Sequence, residues 1–218
     1  MQYNPFIHLD NDNTSHAILI RLTGRSKNVL DVGCARGYLG EILIRQFDCT
    51  TSGIETDPEA AQIAREVYQE VVVGDVEDLS VFERLQYQPF DVVIFGDVLE
   101  HLRQPERVLR TVRQHLQPEG YVLVSLPNVV TLRLRLRFLR GKFEYTDQGI
   151  MDRTHLRFFT LRTAKDMIGD CGYTIDRTEC VVGPNLGGRF RQLRLPRRWL
   201  PPSLLGTQFV FQAHPVEA

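Results

Sequence analysis

The sequence predicts a single α/β domain with a mostly parallel seven-stranded sheet, helices on both faces and a C-terminal antiparallel hairpin. Three observations predict it. Five short apolar runs rich in Val and Ile recur through residues 28–127, each closing on Gly, Asp, Glu or Pro. Helical patterns alternate with them. Two further apolar runs end the chain with no compact helical pattern between them.

The five runs are NVLDVG (28–33), TTSGIE (50–55), EVVVGD (70–75), FDVVIFG (90–96) and YVLVSLP (121–127). Their near-continuous hydrophobicity fits parallel strands covered on both faces. Residues 38–47 place Leu39, Ile42, Leu43 and Phe47 on one helical stripe. A helix over 58–69 begins with Asp57 as N-cap and Pro58 at the first helical position. A helix over 104–116 starts near Pro105 and spaces Val108, Leu109, Val112 and Leu116 for one face. Strand–helix alternation of this kind means right-handed crossovers. A helix over 160–171 stops at Gly172, and strands over 173–182 and 207–213 form the edge hairpin. The stretch 131–143 reads two ways. Leu/Arg alternation suits a strand with one basic face. Helical spacing also works, with Leu132, Leu136, Leu139 and Phe143 in a stripe and Gly141 as the stop. Leu and Arg are both good helix formers, which favours the helix.

At 218 residues the chain is long enough for one well-buried domain. Hydrophobic residues at 43% and charged residues at 24% are a globular balance. No apolar run reaches the roughly 20 residues that span a bilayer. The opening MQYNPFIHLDNDN has neither a basic nor an apolar leader region, so a cytoplasmic location is expected. Cys34, Cys49, Cys171 and Cys180 form no CxxC pair, and are expected as reduced thiols with no metal site. Charge is divided unevenly. Residues 1–128 hold 11 Lys and Arg against 19 Asp and Glu, while residues 129–218 hold 15 against 8. An acidic first part and a basic last part suggest separate tasks.

The strongest local signal is VLDVGCARGYLGEIL (29–43). A strand ends at Asp31, a turn holds Gly33, Cys34, Ala35 and Gly37, and a helix begins near Tyr38. Such a turn lets backbone approach a ligand closely. A dinucleotide-binding turn reads GxGxxG and faces a pyrophosphate. Here an acidic residue stands at the strand end, which suits a cationic ligand. S-adenosylmethionine carries an α-amino group and a sulfonium and has no phosphate. Glu55 ends the second strand, placed to accept ribose hydroxyls. Asp75 ends the third, its carboxylate placed for an adenine amino group and the Val76 amide for a ring nitrogen. Asp97 follows the fourth and is placed to face the sulfonium or methionine end, and Tyr38 is placed either to contact the amino-acid end or to pack.

The pieces DVGCARG, GIETD, GDVED, FDVVIFGDVLEHL and PEGYVLVSLPN resemble the class I S-adenosylmethionine-dependent methyltransferase superfamily in order and spacing. They cover residues 28–128. The resemblance implies a Rossmann-like fold and methyl transfer from S-adenosylmethionine. Ala35 departs from the pattern, standing where the family usually has its middle glycine. The signature GKFEYTDQGIMDRTHLRFFT looks like a bacterial subgroup often found beside glycosyltransferases. It implies that 129–159 is a substrate-side insertion. The long connection 183–206, rich in Gly, Pro and Arg, is expected as a lid, a docking loop or a mobile segment inside the hairpin.

Methyl transfer is an in-line displacement for which alignment is the main requirement. A hydroxyl acceptor also benefits from a general base. His101 in DVLEHL and His155 in DRTHLRFF are the candidate bases, and Asp152 with Arg153 is placed to orient His155 or the acceptor. Glu100 is assigned to stabilising the cofactor or its turn. The expected acceptor is an oxygen of a sugar or small metabolite, with N- or C-transfer and a non-catalytic binding partner as the alternatives. Arg133, Arg135, Arg137, Arg140 and Lys142 form one basic group, and Arg189, Arg191, Arg194, Arg197 and Arg198 a second. They suit a phosphorylated or acidic acceptor such as a lipid-linked glycan, or an anionic membrane surface contacted by Trp199, Leu200, Leu204 and Leu205. A nucleic-acid substrate is disfavoured because GDVLEHL replaces the Asn/Asp-Pro-Pro-Tyr/Phe of base methylation. A monomer or homodimer is expected.

Overall fold

A computed structural model describes residues 14–182 and 202–216. The elements run α1 (Ser15–Thr23), β1 (Asn28–Val32), α2 (Tyr38–Phe47), β2 (Thr50–Glu55), α3 (Pro58–Ala64), β3 (Glu70–Val73), α4 (Ser80–Glu83), β4 (Phe90–Gly96) and a 3₁₀ turn Leu99–His101. There follow α5 (Pro105–Val112), β5 (Leu116–Pro127), α6 (Leu132–Leu139), α7 (Leu161–Asp170), β6 (Tyr173–Val182), α8 (Pro202–Leu205) and β7 (Gly206–Pro215). The seven strands form one sheet in the order β3-β2-β1-β4-β5-β7-β6. Strands β1 to β5 pair in parallel, and β7 runs antiparallel to both β5 and β6. This is the expected architecture, hairpin included.

Alternation along the strands distributes the core to both faces. Leu30, Val32, Val93, Phe95, Val122 and Val124 pack with Phe82, α5 and α7 on one side. Val29, Val92, Ile94 and Leu123 pack with α1 and α2 on the other. Asp57 caps α3 by accepting the Glu59 amide at 2.9 Å, with Pro58 behind it as expected. Helix α3 is shorter than the expected 58–69, because the chain leaves it in turns from Arg65 onward. Helix α1, which the strand–helix pattern did not flag, is buried on almost every side.

Within residues 131–143, Leu132–Leu139 form a helix, capped by the Thr131 hydroxyl accepting the Leu134 amide at 3.3 Å. Gly141 follows its end in the left-handed region, with φ 72°. The buried face is not the expected one. Leu134 is enclosed, whereas Leu136, Leu139 and Phe143 are 44%, 83% and 55% exposed. The buried cap Thr131 and Leu134, one turn apart, dock the helix, and this turns the leucine stripe outward. Within the expected loop 183–206, residues 183–201 lie outside the described residues, 202–205 form α8 and Gly206 opens β7. Arg189, Arg191, Arg194, Arg197, Arg198, Trp199 and Leu200 lie outside the described residues as well. No helix among the described residues is long and apolar enough to cross a membrane.

Candidate functional site

The sheet order reverses between β1 and β4, and open α/β sheets bind ligands at the carboxyl ends of strands beside such a switch. A cavity of about 810 Å³ lies there. Asp31, Gly33, Cys34, Ala35, Tyr38, Glu55, Asp75, Val76 and Asp97 all line it, as does His101. Gly37 does not; it is the N-cap of α2. Asp75 lies two residues beyond the end of β3 rather than on it, and its carboxylate accepts the Glu77 amide at 2.9 Å.

The turn after β1 is tight for steric reasons. Gly33 has φ 73°, and a Cβ there would stand 2.7 Å from Val98 Cγ2. Ala35 is also left-handed, at φ 49°, and its amide donates to Glu55 Oε2 at 2.8 Å. The other oxygen of Glu55 accepts the Asp57 amide at 2.9 Å. The carboxylate at the end of β2 thus holds the turn after β1 to the start of α3.

Asp31 is 4% exposed and faces inward. The Tyr68 hydroxyl donates to its Oδ2 at 2.7 Å and accepts the Gly40 amide at 3.0 Å. Gly40 leaves the space for the ring, because a Cβ would fall 2.1 Å from Tyr68 Cε1. Burial pushes the Asp31 carboxyl up to about 7, against the opposing pull of the Tyr68 hydrogen bond and with the help of nearby Glu55. Burial likewise drives the Tyr68 hydroxyl far above its ordinary value, so it remains a proton donor. Tyr68 carried no sequence signal: it lies in a turn 37 residues from Asp31, outside any strand end.

Asp97 adopts φ 59° and is fixed from the far side of the sheet. Its amide donates to Ser125 Oγ at 3.0 Å, and its Oδ1 accepts both Ser125 Oγ and the Gln208 amide group. The edge strand β7 thereby positions a cavity residue, a contact that no spacing could have predicted.

At the cavity mouth the 3₁₀ turn meets residues 150–158. The rings of His101 and His155 stand edge-on with centroids 4.7 Å apart. Burial and the neighbouring His101 lower the His155 pKa and so favour the neutral ring. Asp152 does not reach the His155 ring, contrary to its expected orienting contact. Its Oδ1 accepts the Thr154 amide and hydroxyl, each at 2.8 Å. Thr154 in turn offers its carbonyl and hydroxyl to His101 Nδ1, both at 3.2 Å. Burial raises the Asp152 pKa, but the two Thr154 hydrogen bonds together with the neighbouring His155 and His101 hold the carboxyl below its usual value. Arg153 pairs with Asp147 at the surface instead. Glu100 is buried at 1% exposure beside the two histidines.

The charges define the ligand class. Asp31, Glu55, Asp75, Glu77, Asp78 and Asp97 line the cavity, six carboxylates against one arginine, Arg103. A pyrophosphate would be repelled there, whereas the amino, sulfonium, hydroxyl and adenine amino groups of S-adenosylmethionine are all cations or donors. Fold and cavity together fit a cationic adenosyl ligand at the switch point. The chain belongs to the methyltransferase domain family, whose model matches residues 12–178. A ubiquinone biosynthesis O-methyltransferase of Histophilus somni is 33% identical over 109 residues, covering 47% of this chain and 45% of that protein. The chain thus spans about half the length of the curated relatives it matches. A SAM-dependent methyltransferase from Archaeoglobus fulgidus superposes with TM-score 0.63 at 18% identity, over 94% of this chain and 97% of that one. A 1,6-didemethyltoxoflavin-N1-methyltransferase from Burkholderia thailandensis, solved with its substrate and S-adenosylhomocysteine, gives TM-score 0.59 at 18% identity, over 93% and 77%.

Tyr68→Phe removes one hydroxyl from two buried partners. It should cost about 1–3 kcal/mol of stability, read by chemical denaturation.

Proposed function

We propose that this chain moves a methyl group from S-adenosylmethionine to an oxygen of a small-molecule acceptor. One observation carries the reading: a carboxylate-lined cavity at the switch point opens on a pair of imidazoles. S-adenosylmethionine supplies an electrophilic methyl on a sulfonium, with a neutral thioether as leaving group. Asp31 holds the amino group, with Tyr68 fixing the carboxylate direction. Gly33, Cys34, Ala35 and Tyr38 surround the amino-acid end, and Gly37 starts the helix behind it. Glu55 takes the ribose hydroxyls, Asp75 and the Val76 amide the adenine, and Asp97 the sulfonium end. His101 and His155 act on the acceptor oxygen, and Asp152 is a positioning residue that works through Thr154.

Transfer to oxygen is supported by the two imidazoles at the mouth and by the similarity to the Histophilus O-methyltransferase. Residues 129–159 form the acceptor side. Phe143, Tyr145 and Phe158 cluster there with centroids 5.6 to 6.3 Å apart, and Phe158 reaches His155 at 6.4 Å. A planar or ring-shaped acceptor body suits such a wall. A sugar or glycan acceptor carrying an acidic or phosphorylated group is the finer reading, supported by the exposed Arg133, Arg140 and Lys142 beside the wall. Leu204 and Leu205, expected at a membrane surface, are half-buried, which leaves that association without support from them.

Binding should depend on pH through Asp31. Below about pH 7 its carboxyl is protonated and offers no charge to a cationic amino group. Binding then requires ionisation, so affinity should rise with pH by up to about tenfold per unit below 7 and level off above it. Calorimetry with S-adenosylhomocysteine between pH 5.5 and 8.5 reads this directly. Asp31→Asn should bind weakly with that slope gone.

The transfer itself is tested with methyl-labelled S-adenosylmethionine and a panel of phenols, catechols, sugars and amines. Label in an ether product is the expected result. Label in amines alone would contradict transfer to oxygen.

A further inference from the structure

We propose that the cleft between α6, α7 and α8 is a second binding site, one that takes a phosphate monoester with an apolar body on Arg135, Arg162 and Lys165. The cleft has a volume of about 670 Å³, and no residue lines both it and the adenosyl cavity. Val130 and Leu161 give it apolar surface, while the three cations reach it from two helices. Apolar surface with a few convergent polar groups is the usual form of a small-molecule site.

One buried side chain frames the cleft. Asn128 is 0% exposed, and its side-chain nitrogen donates to the Ser203 and Gly206 carbonyls at 2.8 and 2.7 Å. Its side-chain oxygen accepts the Val130 amide at 3.1 Å. Beside it, the Val129 amide donates to the Phe159 carbonyl at 3.0 Å. The end of β5, the start of α7 and α8 are thus tied together around one amide group.

The charges name the ligand. Arg135 is held by its Nε, which donates to the Val130 carbonyl at 2.7 Å; its terminal nitrogens donate to no group among the described residues. Lys165 makes no hydrogen bond or ion pair among the described residues. Arg162 stands 3.7 Å from Asp166, an exposed pair one turn apart that contributes little. Three cations against Asp166 leave a surplus of two positive charges. A phosphate monoester carries about two negative charges at neutral pH. Guanidinium groups meet its oxygens with paired N–H donors.

Helix α7 adds its first turn. Thr160 accepts the Thr163 amide on its hydroxyl at 3.1 Å and the Ala164 amide on its carbonyl at 3.0 Å. The Leu161 and Arg162 amides meet no acceptor among the described residues, and such donors favour an anion. The two cavities therefore sort ligands by charge: the carboxylates at the switch point suit a cation, and this cleft suits an anion. The site stands whether or not the chain transfers methyl groups to oxygen.

The test titrates the ¹⁵N-labelled full chain with phenyl phosphate, benzoate and phenol, following amide shifts without and then with saturating S-adenosylhomocysteine. Phenyl phosphate is expected to saturate one site, to shift the amides of residues 160–165, and to bind more tightly than benzoate and roughly tenfold or more tighter than phenol. Its affinity should fall roughly tenfold or more in the double variant Arg162→Gln with Lys165→Gln, and also in Arg135→Gln. It should hold in Arg45→Gln with Arg177→Gln, which removes the same charge elsewhere, and in the presence of S-adenosylhomocysteine. No saturable shift at 160–165, or phenol binding as tightly, overturns the site. Cleft variants that bind as the wild type does, a charge control that loses as much, or displacement by S-adenosylhomocysteine overturn it equally.

Discussion

The hydrogen bond from Tyr68 to Asp31 is the contact around which this site is built. A carboxyl inside an α/β sheet is costly unless something donates to it. Tyr68 donates, and its ring fits only because Gly40 has no side chain. The same hydroxyl accepts the Gly40 amide in the first turn of α2. One oxygen therefore joins β1, α2 and the turn after α3. The arrangement leaves Asp31 poised: buried enough to resist ionisation alone, and directed at the cavity where a cation would ionise it.

The rest of the cavity follows the same economy of fixed backbone and shared carboxylates. Glu55 binds two amides from different loops, and Asp97 is held by side chains from β5 and β7. Ala35 and Asp97 both occupy left-handed conformations, which cost free energy outside glycine and persist where surroundings enforce them. Both line the cavity. The strain is local, and the neighbouring sheet supplies the constraint.

Much of this was readable from residue patterns. The strands, the cap at Asp57 and the carboxylates of Asp31 and Glu55 follow local rules of burial and turn chemistry, while Asp75 falls two residues past its strand. What escaped depends on packing between distant segments. Tyr68, Ser125 and Gln208 serve the site through contacts of 28 to 111 residues in separation, where spacing says nothing. The Leu132–Phe143 stripe was correctly periodic, but periodicity does not say which face a neighbour covers. The meeting of Glu100, His101 and His155 likewise forms only when residues 150–158 fold back over the 3₁₀ turn.

The central claim is that the cavity at the β1/β4 switch point takes a cationic adenosyl ligand and rejects a pyrophosphate. Parallel calorimetric titrations of the purified chain with S-adenosylhomocysteine and with NAD test it most directly. Roughly micromolar affinity for the first and none for the second is the predicted result. Binding of neither ligand, or of NAD as tightly as S-adenosylhomocysteine, would contradict it.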